Sequence, residues 1–351
     1  MQNIIEMNFA LVNNKYKAKT DMIGRWLFGL MLMLLAMPAA AQNPTLSFPV
    51  TTPVNLGRVA VGTSQTPITL TATGTRSVGA GGAVLIGSVA SNGAISITCV
   101  SGNRCNQTFR ARVWLAGSAT NNRLTVTGYT VGNVSPVPTS TTGSGTTTLN
   151  LVFAPIGIGG TVSFNIGVNG NIRTTGNTGA ATVVTRVSAC AQNSCTPNST
   201  NTNLSRTLNV TLNAFRGITL ASSSNLVFGR VVVPGSGSGT ISISPTGVVS
   251  GTLFRQAGGP ARSQAQFTVS GEGGQSISVS VPATVTMTNG SNNLTVTTSN
   301  SLVGSPSLQT LSGAANTTGT LAVAVGGTVT VPSTAAVGNY TGTLTVTASY
   351  N

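Results

Sequence analysis

Few residues in this 351-residue chain can do chemistry. Its carboxylates are Glu6, Asp21 and Glu272, histidine is absent, and its lysines are Lys15, Lys17 and Lys19. Beyond residue 41 only Glu272 remains, against 13 arginines, a side-chain charge of +12. Paired carboxylates for standard glycoside hydrolysis cannot form. No histidine can activate a serine or cysteine, and no His/Asp/Glu cluster can hold zinc or calcium. Without lysine there is no Lys–Asn isopeptide cross-link. The inventory predicts a protein that is not an enzyme, with no catalytic, metal or cofactor-binding residues and no cofactor.

Four cysteines remain, Cys99, Cys105, Cys190 and Cys195. An even count in an exported chain favours disulfides. Four cysteines allow three pairings. Cys99–Cys105 and Cys190–Cys195 are favoured because each pair brackets a turn-like stretch, VSGNR and AQNS. Closing such short loops is worth about 2 kcal/mol each, enough to pin loop tips rather than hold a domain.

The arginines are scattered; only Arg110 and Arg112 lie close together, on one face of a predicted strand. Their first role is solubility in a chain short of other charges. Attraction to an anionic surface, lipopolysaccharide or extracellular DNA, is a second reading. No basic cluster interleaved with aromatics marks a specific nucleic-acid site. Trp114, in the alternating run TFRARVWL, reads as core or sheet-face packing rather than a sugar platform.

The elements that carry these residues are strands. In residues 338–351 (GNYTGTLTVTASYN), Tyr340, Leu344, Val346, Ala348 and Tyr350 share one parity and the hydroxyl residues share the other. Such alternation predicts a half-buried strand with its apolar face inside and Tyr350 in a pocket. An end this well patterned is expected to be tied into a sheet, either as an ordinary terminal strand or as an assembly strand. Leu46, Phe48 and Val50 form a second short run that could be donated to another subunit, although pairing within its own domain is the stronger expectation.

Gly, Ser, Thr, Asn and Val dominate after residue 41, and no convincing amphipathic helix follows. Thr and Val suit pleated surfaces, and Gly and Asn suit turns, so the chain reads as all-β. Four blocks recur in order: 55–61 with 227–233, 68–74 with 241–247, 160–164 with 319–323, and 207–211 with 343–347. A duplicated antiparallel, immunoglobulin-like or pilin-like β-sandwich follows, with domains at 42–217 and 218–351 and a junction near 215–224. The first copy is longer, with its surplus around the cysteines and residues 135–148. Expected core positions are Ile95, Ile97, Phe109, Leu124, Val126, Phe164 and Ile166 in the first copy. In the second they are Phe228, Ile241, Ile243, Phe267, Val269, Ile277, Val279, Leu294 and Val296.

Residues 27–37 are almost wholly apolar, follow Arg25 and precede Ala39-Ala40-Ala41. This is the pattern of a cleaved secretory signal peptide spanning 1–41, its apolar run too short to span a bilayer. Met22 would give a more usual n-region, so residues 1–21 read as a mis-called upstream extension. No apolar tail follows Tyr350, so no membrane span is expected in the mature chain. The expected route is through the inner membrane to the periplasm, then the cell surface or beyond.

From Leu226 onward, NLVFGRVVVPGSGSGTISISPTG, AQFTVSGEGGQSISVSVP, LAVAVGGTVTVP and VGNYTGTLTVTASYN resemble bacterial domain-of-unknown-function family 4402 (DUF4402). The closing Y-x-G-x-x-x-V strand is similar to chaperone–usher pilins and to spore coat U-type proteins. The chain departs from a pilin in having two domains and no cysteine in the pilin-like one. The resemblance implies a secreted, Gram-negative surface or fimbrial protein, a pilin- or tip-adhesin-like subunit. Its partners would be a periplasmic chaperone, an outer-membrane usher and other subunits, joined by β-strand addition. The alternative is a soluble secreted carbohydrate-binding module.

Overall fold

The structure, a computed structural model, describes residues 44–87, 89–174, 178–198, 204–304 and 308–351. The expected signal peptide lies outside the described residues, and among them no helix is long and apolar enough to cross a membrane.

The first fifteen strands are β1 (Thr45–Thr52), β2 (Val54–Ala60), β3 (Thr66–Leu70), β4 (Arg76–Val78), β5 (Val84–Ile86), β6 (Gly93–Ser101), β7 (Phe109–Leu115), β8 (Leu124–Ser135), β9 (Ser140–Thr142), β10 (Thr148–Phe153), β11 (Thr161–Ile172), β12 (Gly179–Val183), β13 (Thr185–Ala191), β14 (Ser205–Thr207) and β15 (Val210–Phe215). Ten follow: β16 (Thr219–Ser224), β17 (Ser238–Ile243), β18 (Val249–Gly251), β19 (Ala265–Glu272), β20 (Ser276–Ser280), β21 (Thr284–Asn289), β22 (Asn292–Asn300), β23 (Gln309–Thr310), β24 (Thr318–Pro332) and β25 (Thr347–Tyr350). A 3-10 turn at Asn103–Asn106 breaks the all-β pattern. Alternation drives these choices: β6 and β11 bury Ile95, Ile97, Phe164 and Ile166 on one face and turn hydroxyls and amides outward.

Strands β1–β15 and β16–β25 form separate sheets. In the first set the main sheet runs β1-β6-β11-β3-β4, with β8 also on β11. Two smaller sheets, β12-β15-β2-β5 and β14-β13-β7-β10-β9, accompany it. Inward residues of all three sheets join one hydrophobic cluster that includes Phe109, Phe153, Phe164 and Tyr129. The pairing of β2 with β15 is parallel, an exception to the antiparallel expectation. β1 pairs with β6, Leu46 against Cys99, so the run Leu46-Phe48-Val50 is engaged within its own chain.

The second set repeats this plan. Its main sheet runs β16-β19-β24-β17-β18, with β22 also on β24. β20 pairs with β23 and β25 as β7 pairs with β10 and β13. Isolated bridges repeat too: Asn55 to Ser91 in the first set, Val227 to Ser263 in the second. Its second layer, β23-β20-β25, answers in chain order and pairing to β10-β7-β13 but is smaller, and among the described residues the sheet β12-β15-β2-β5 is represented only by the isolated bridges of 227–233. Its core is correspondingly thin and split between two clusters. Ile241, Ile243, Val269, Ile277, Val279 and Val296 are buried as expected. Phe228, Phe267 and Leu294 are only half-buried, packed at the margins of these two small clusters.

Candidate assembly site

The terminal strand is shorter than its alternation predicts. Only Thr347–Tyr350 forms a ladder, antiparallel to β20, with Ile277 opposite Tyr350 and Val279 opposite Ala348. Upstream, Thr341 bridges Thr288 of β21, and residues 342–346 make no ladder with any described strand. The face Tyr340, Leu344, Val346, Ala348, Tyr350 keeps its parity but is not wholly buried: Val346 is 7% exposed and the other four are half-buried. Alternation selects a face; a ladder also needs a neighbouring strand, and here one is missing.

The counterparts of β25 in the first set, β13 by pairing and β15 by sequence repeat, each have two neighbours. β15 has β12 antiparallel on one side and β2 parallel on the other, with Val210 beside Val54 and Ala214 beside Val59. By the sequence repeat, 227–233 stands where 55–61 stands, and 343–347 stands where 207–211 stands. In the second set 227–233 keeps its isolated bridges, Val227 to Ser263 and Val231 to Arg255, but does not pair with β25. β25 is left as an edge strand. Asn351 donates its N–H to the Ser276 carbonyl, so Ser349 and Thr347 also face β20. The backbone groups of Ala348 and Tyr350 therefore point to the open edge.

Tyr350 pins the end of this strand. Its hydroxyl accepts the Glu272 N–H at 2.6 Å and donates to the Arg216 carbonyl at 2.7 Å. Gly271 permits this approach, since a Cβ there would stand 2.6 Å from the hydroxyl. The ring packs on Phe215, with centroids 6.0 Å apart. Burial, the largest influence, pushes the phenol's pKa up, and the Glu272 carboxylate adds to this.

Glu272 completes the junction. Its carboxylate is 1% exposed and meets the Arg216 guanidinium at 2.9 Å. It also accepts backbone N–H groups from Arg216 and Asn316. Arg216 donates further to Thr178 Oγ1 at 2.9 Å and to the Asn316 carbonyl at 3.1 Å. Arg58 stacks on Phe215 and donates to Gln275 Oε1 at 3.0 Å and to the Asn351 backbone oxygen at 3.2 Å. The last carboxylate after residue 41 thus ties the two sets of strands together. Sequence reasoning flagged Glu272 and Tyr350 separately; nothing local connects either to Arg216.

The cysteines form Cys99–Cys105 and Cys190–Cys195. The two loops meet: Thr108 Oγ1 and the Thr108 N–H donate to Asn193 Oδ1, and Arg104 donates to Gln192 Oε1 at 3.2 Å. Both disulfides therefore support one end of the first set, away from β25.

Residues 218–350 match the DUF4402 family model, described as a domain of unknown function. The DUF4402 segment thus opens one residue before β16 begins and takes in the open-edged strand, whereas β1–β15 lie outside it. Among solved structures, one described as "Chaperone-tip adhesin complex is vital for synergistic activation of CFA/I fimbriae biogenesis" has a similar chain. Identity is 10%, covering 88% of this chain and 92% of that one, at a TM-score of 0.20, too low to equate the folds. No curated protein matches this chain.

Proposed function

We propose that residues 42–351 are a non-enzymatic, exported surface subunit of two β-sandwich domains, 42–217 and 218–351, that assembles by accepting a strand at β25. The observation that carries this reading is the contrast between β15, paired on both sides, and β25, paired on one. An exposed edge templates pairing with another chain, and an added strand would also widen the small layer β23-β20-β25 over half-buried apolar residues such as Leu344. The pilin-like ending supports the same reading. The donor would be a neighbouring subunit, or a periplasmic chaperone before assembly at an outer-membrane usher. This is the binding mode in which main-chain hydrogen bonds give affinity and alternate side chains give register.

Ala348→Pro tests it. The Ala348 N–H faces the open edge, so proline there removes a donor from an incoming strand but none from the β20 ladder. The exported variant is expected to fold, by circular dichroism and thermal melting, and to lose surface-associated high-molecular-weight forms in its native host. Wild-type levels of polymer on the cell surface would overturn the proposal and leave a monomeric sandwich.

A further inference from the structure

The sheet β14-β13-β7-β10-β9 carries an unusual outer face. In the register of β10, β7 and β13 its rows are Val152–Arg110–Cys190, Asn150–Arg112–Ser188 and Thr148–Trp114–Arg186. Ala111, Val113, Val187 and Ala189 turn to the core, so Arg110, Arg112, Trp114 and Arg186 share the opposite face. All four are half-buried. Trp114 is held in place: its indole N–H donates to Ser188 Oγ at 3.1 Å, and Ser188 donates to the Pro197 carbonyl.

The guanidiniums on this face are only partly satisfied. Arg110 reaches the Asn193 carbonyl. Arg112 lies against the Trp114 ring, 5.8 Å from its centroid. The Nε atoms of Arg110, Arg112 and Arg186 are each buried with no hydrogen-bond acceptor. Two cations on alternate residues of one strand lie about 7 Å apart, and diagonal neighbours across strands about 7–8 Å apart. Like charges that close repel, and among the described residues no side-chain carboxylate relieves them, because Glu272 is committed to Arg216.

We infer that this face is a binding site for an acidic polysaccharide, with Arg112 and Arg186 taking sulfate or uronate carboxylate groups and Trp114 lying beneath a sugar ring. Planar guanidinium forks match both anions in paired hydrogen bonds. Pro197 covers Ser188 on the β13 side, and the pleated surface towards β9 and β10, with Thr142, Thr148 and Asn150, offers hydroxyl and amide partners to a polymer of hydroxyls. Nucleic acid is disfavoured, since single-strand binding needs successive aromatic platforms and this face has one. A bilayer is disfavoured because only Val152 and Trp114 project among the arginines, too little apolar surface for interfacial insertion. The site lies in the first set of strands and does not rest on strand acceptance at β25.

The test is saturable binding of residues 42–351, measured by calorimetry at low and physiological salt. The ligands are heparin, dextran sulfate, polygalacturonate, neutral dextran and duplex DNA. Dextran sulfate and polygalacturonate separate sulfate from carboxylate recognition. Arg112→Gln with Arg186→Gln should weaken acidic-polysaccharide binding by about tenfold or more. Arg173→Gln with Arg255→Gln removes the same charge from exposed sites elsewhere and should change it by less than about twofold. Arg112→Lys with Arg186→Lys keeps charge and loses the fork; it should bind weakly while preserving the near-ultraviolet signature of Trp114, which guards against misfolding of the glutamine pair. Equal losses in the two glutamine pairs, tighter binding of DNA than of any polysaccharide, full binding by the lysine pair, or no saturable binding would each overturn the assignment.

Discussion

The Tyr350 hydroxyl donates to the Arg216 carbonyl across 134 residues of sequence, so the last aromatic closes onto the link between the two sets of strands. The same oxygen accepts the Glu272 N–H. Tyr350→Phe leaves the ring on Phe215 but strands that amide and carbonyl. Two lost hydrogen bonds at a partly buried site are worth about 1–3 kcal/mol. Urea unfolding should show this loss in the second transition, with the first set unaffected. Gly271→Ala should cost at least as much, because the new Cβ displaces the hydroxyl.

Glu272→Gln should destabilise the junction further. It leaves the Arg216 guanidinium without its carboxylate, and its amide group presents a donor where donors already converge. A broken, fully buried pair costs about 3–5 kcal/mol. A quarter of the Arg216 side chain is exposed, so about 2–3 kcal/mol is expected here. Limited proteolysis checks it: cleavage near residues 215–218 should accelerate, and an unchanged cleavage rate would show that the pair holds nothing.

Alkali should act through the buried phenols. Burial pushes the pKa of both Tyr129 and Tyr350 above the ordinary tyrosine value. For Tyr129 a 2.6 Å bond with Thr185 Oγ1 opposes the shift. A raised folded pKa favours the neutral form in the native state. Stability is therefore intact below the unfolded value of about 10 and falls as pH rises above it. The melting temperature of the wild type should decline beyond that pH. Tyr350→Phe should start lower and decline less steeply; parallel curves would refute the linkage.

Much of this was legible before the structure. Alternation revealed the strands, four repeated blocks revealed a duplicated plan, and loop spacing revealed the disulfides. What escaped the sequence was pairing between distant segments. The parity of Tyr340 to Tyr350 is real, yet residues 342–346 form no ladder, because hydrogen-bonding partners are not encoded in parity. Phe228, Phe267 and Leu294 carry the pattern of core residues and remain half-buried, since parity does not show that the second core is split into two small clusters. Arg112 and Arg186 are 74 residues apart in sequence, and only the β7–β13 register places them on one face.

Removing both disulfides should spare the first set. They close loops of six and five residues, about 2 kcal/mol each. Cys99 and Cys105 are buried in the same cluster as Phe109, Phe153 and Phe164, but its other members come from all three sheets and hold the core without them. Replacing all four cysteines with alanine should keep the β-rich spectrum, lower the melting temperature and raise proteolysis at residues 100–106 and 191–195. Loss of the folded spectrum would mean that the loops organise the core.

Hydrogen exchange resolves the edge itself. Amides of β15 are flanked by β2 and β12 and should be protected throughout. In β25 the Thr347, Ser349 and Asn351 amides face β20, whereas Ala348 and Tyr350 face the open side, so protection should alternate residue by residue. Residues 342–346 should exchange quickly along their whole length, since no ladder holds them. Local opening free energy scales with such hydrogen bonds and with buried apolar neighbours. If the same measurement is made on material in surface polymers, Ala348, Tyr350 and 342–346 should become protected while Thr347 and Ser349 change little. Uniform slow exchange across 342–350 in the monomer would mean that the edge is already closed, and the strand-acceptance reading would fall with it.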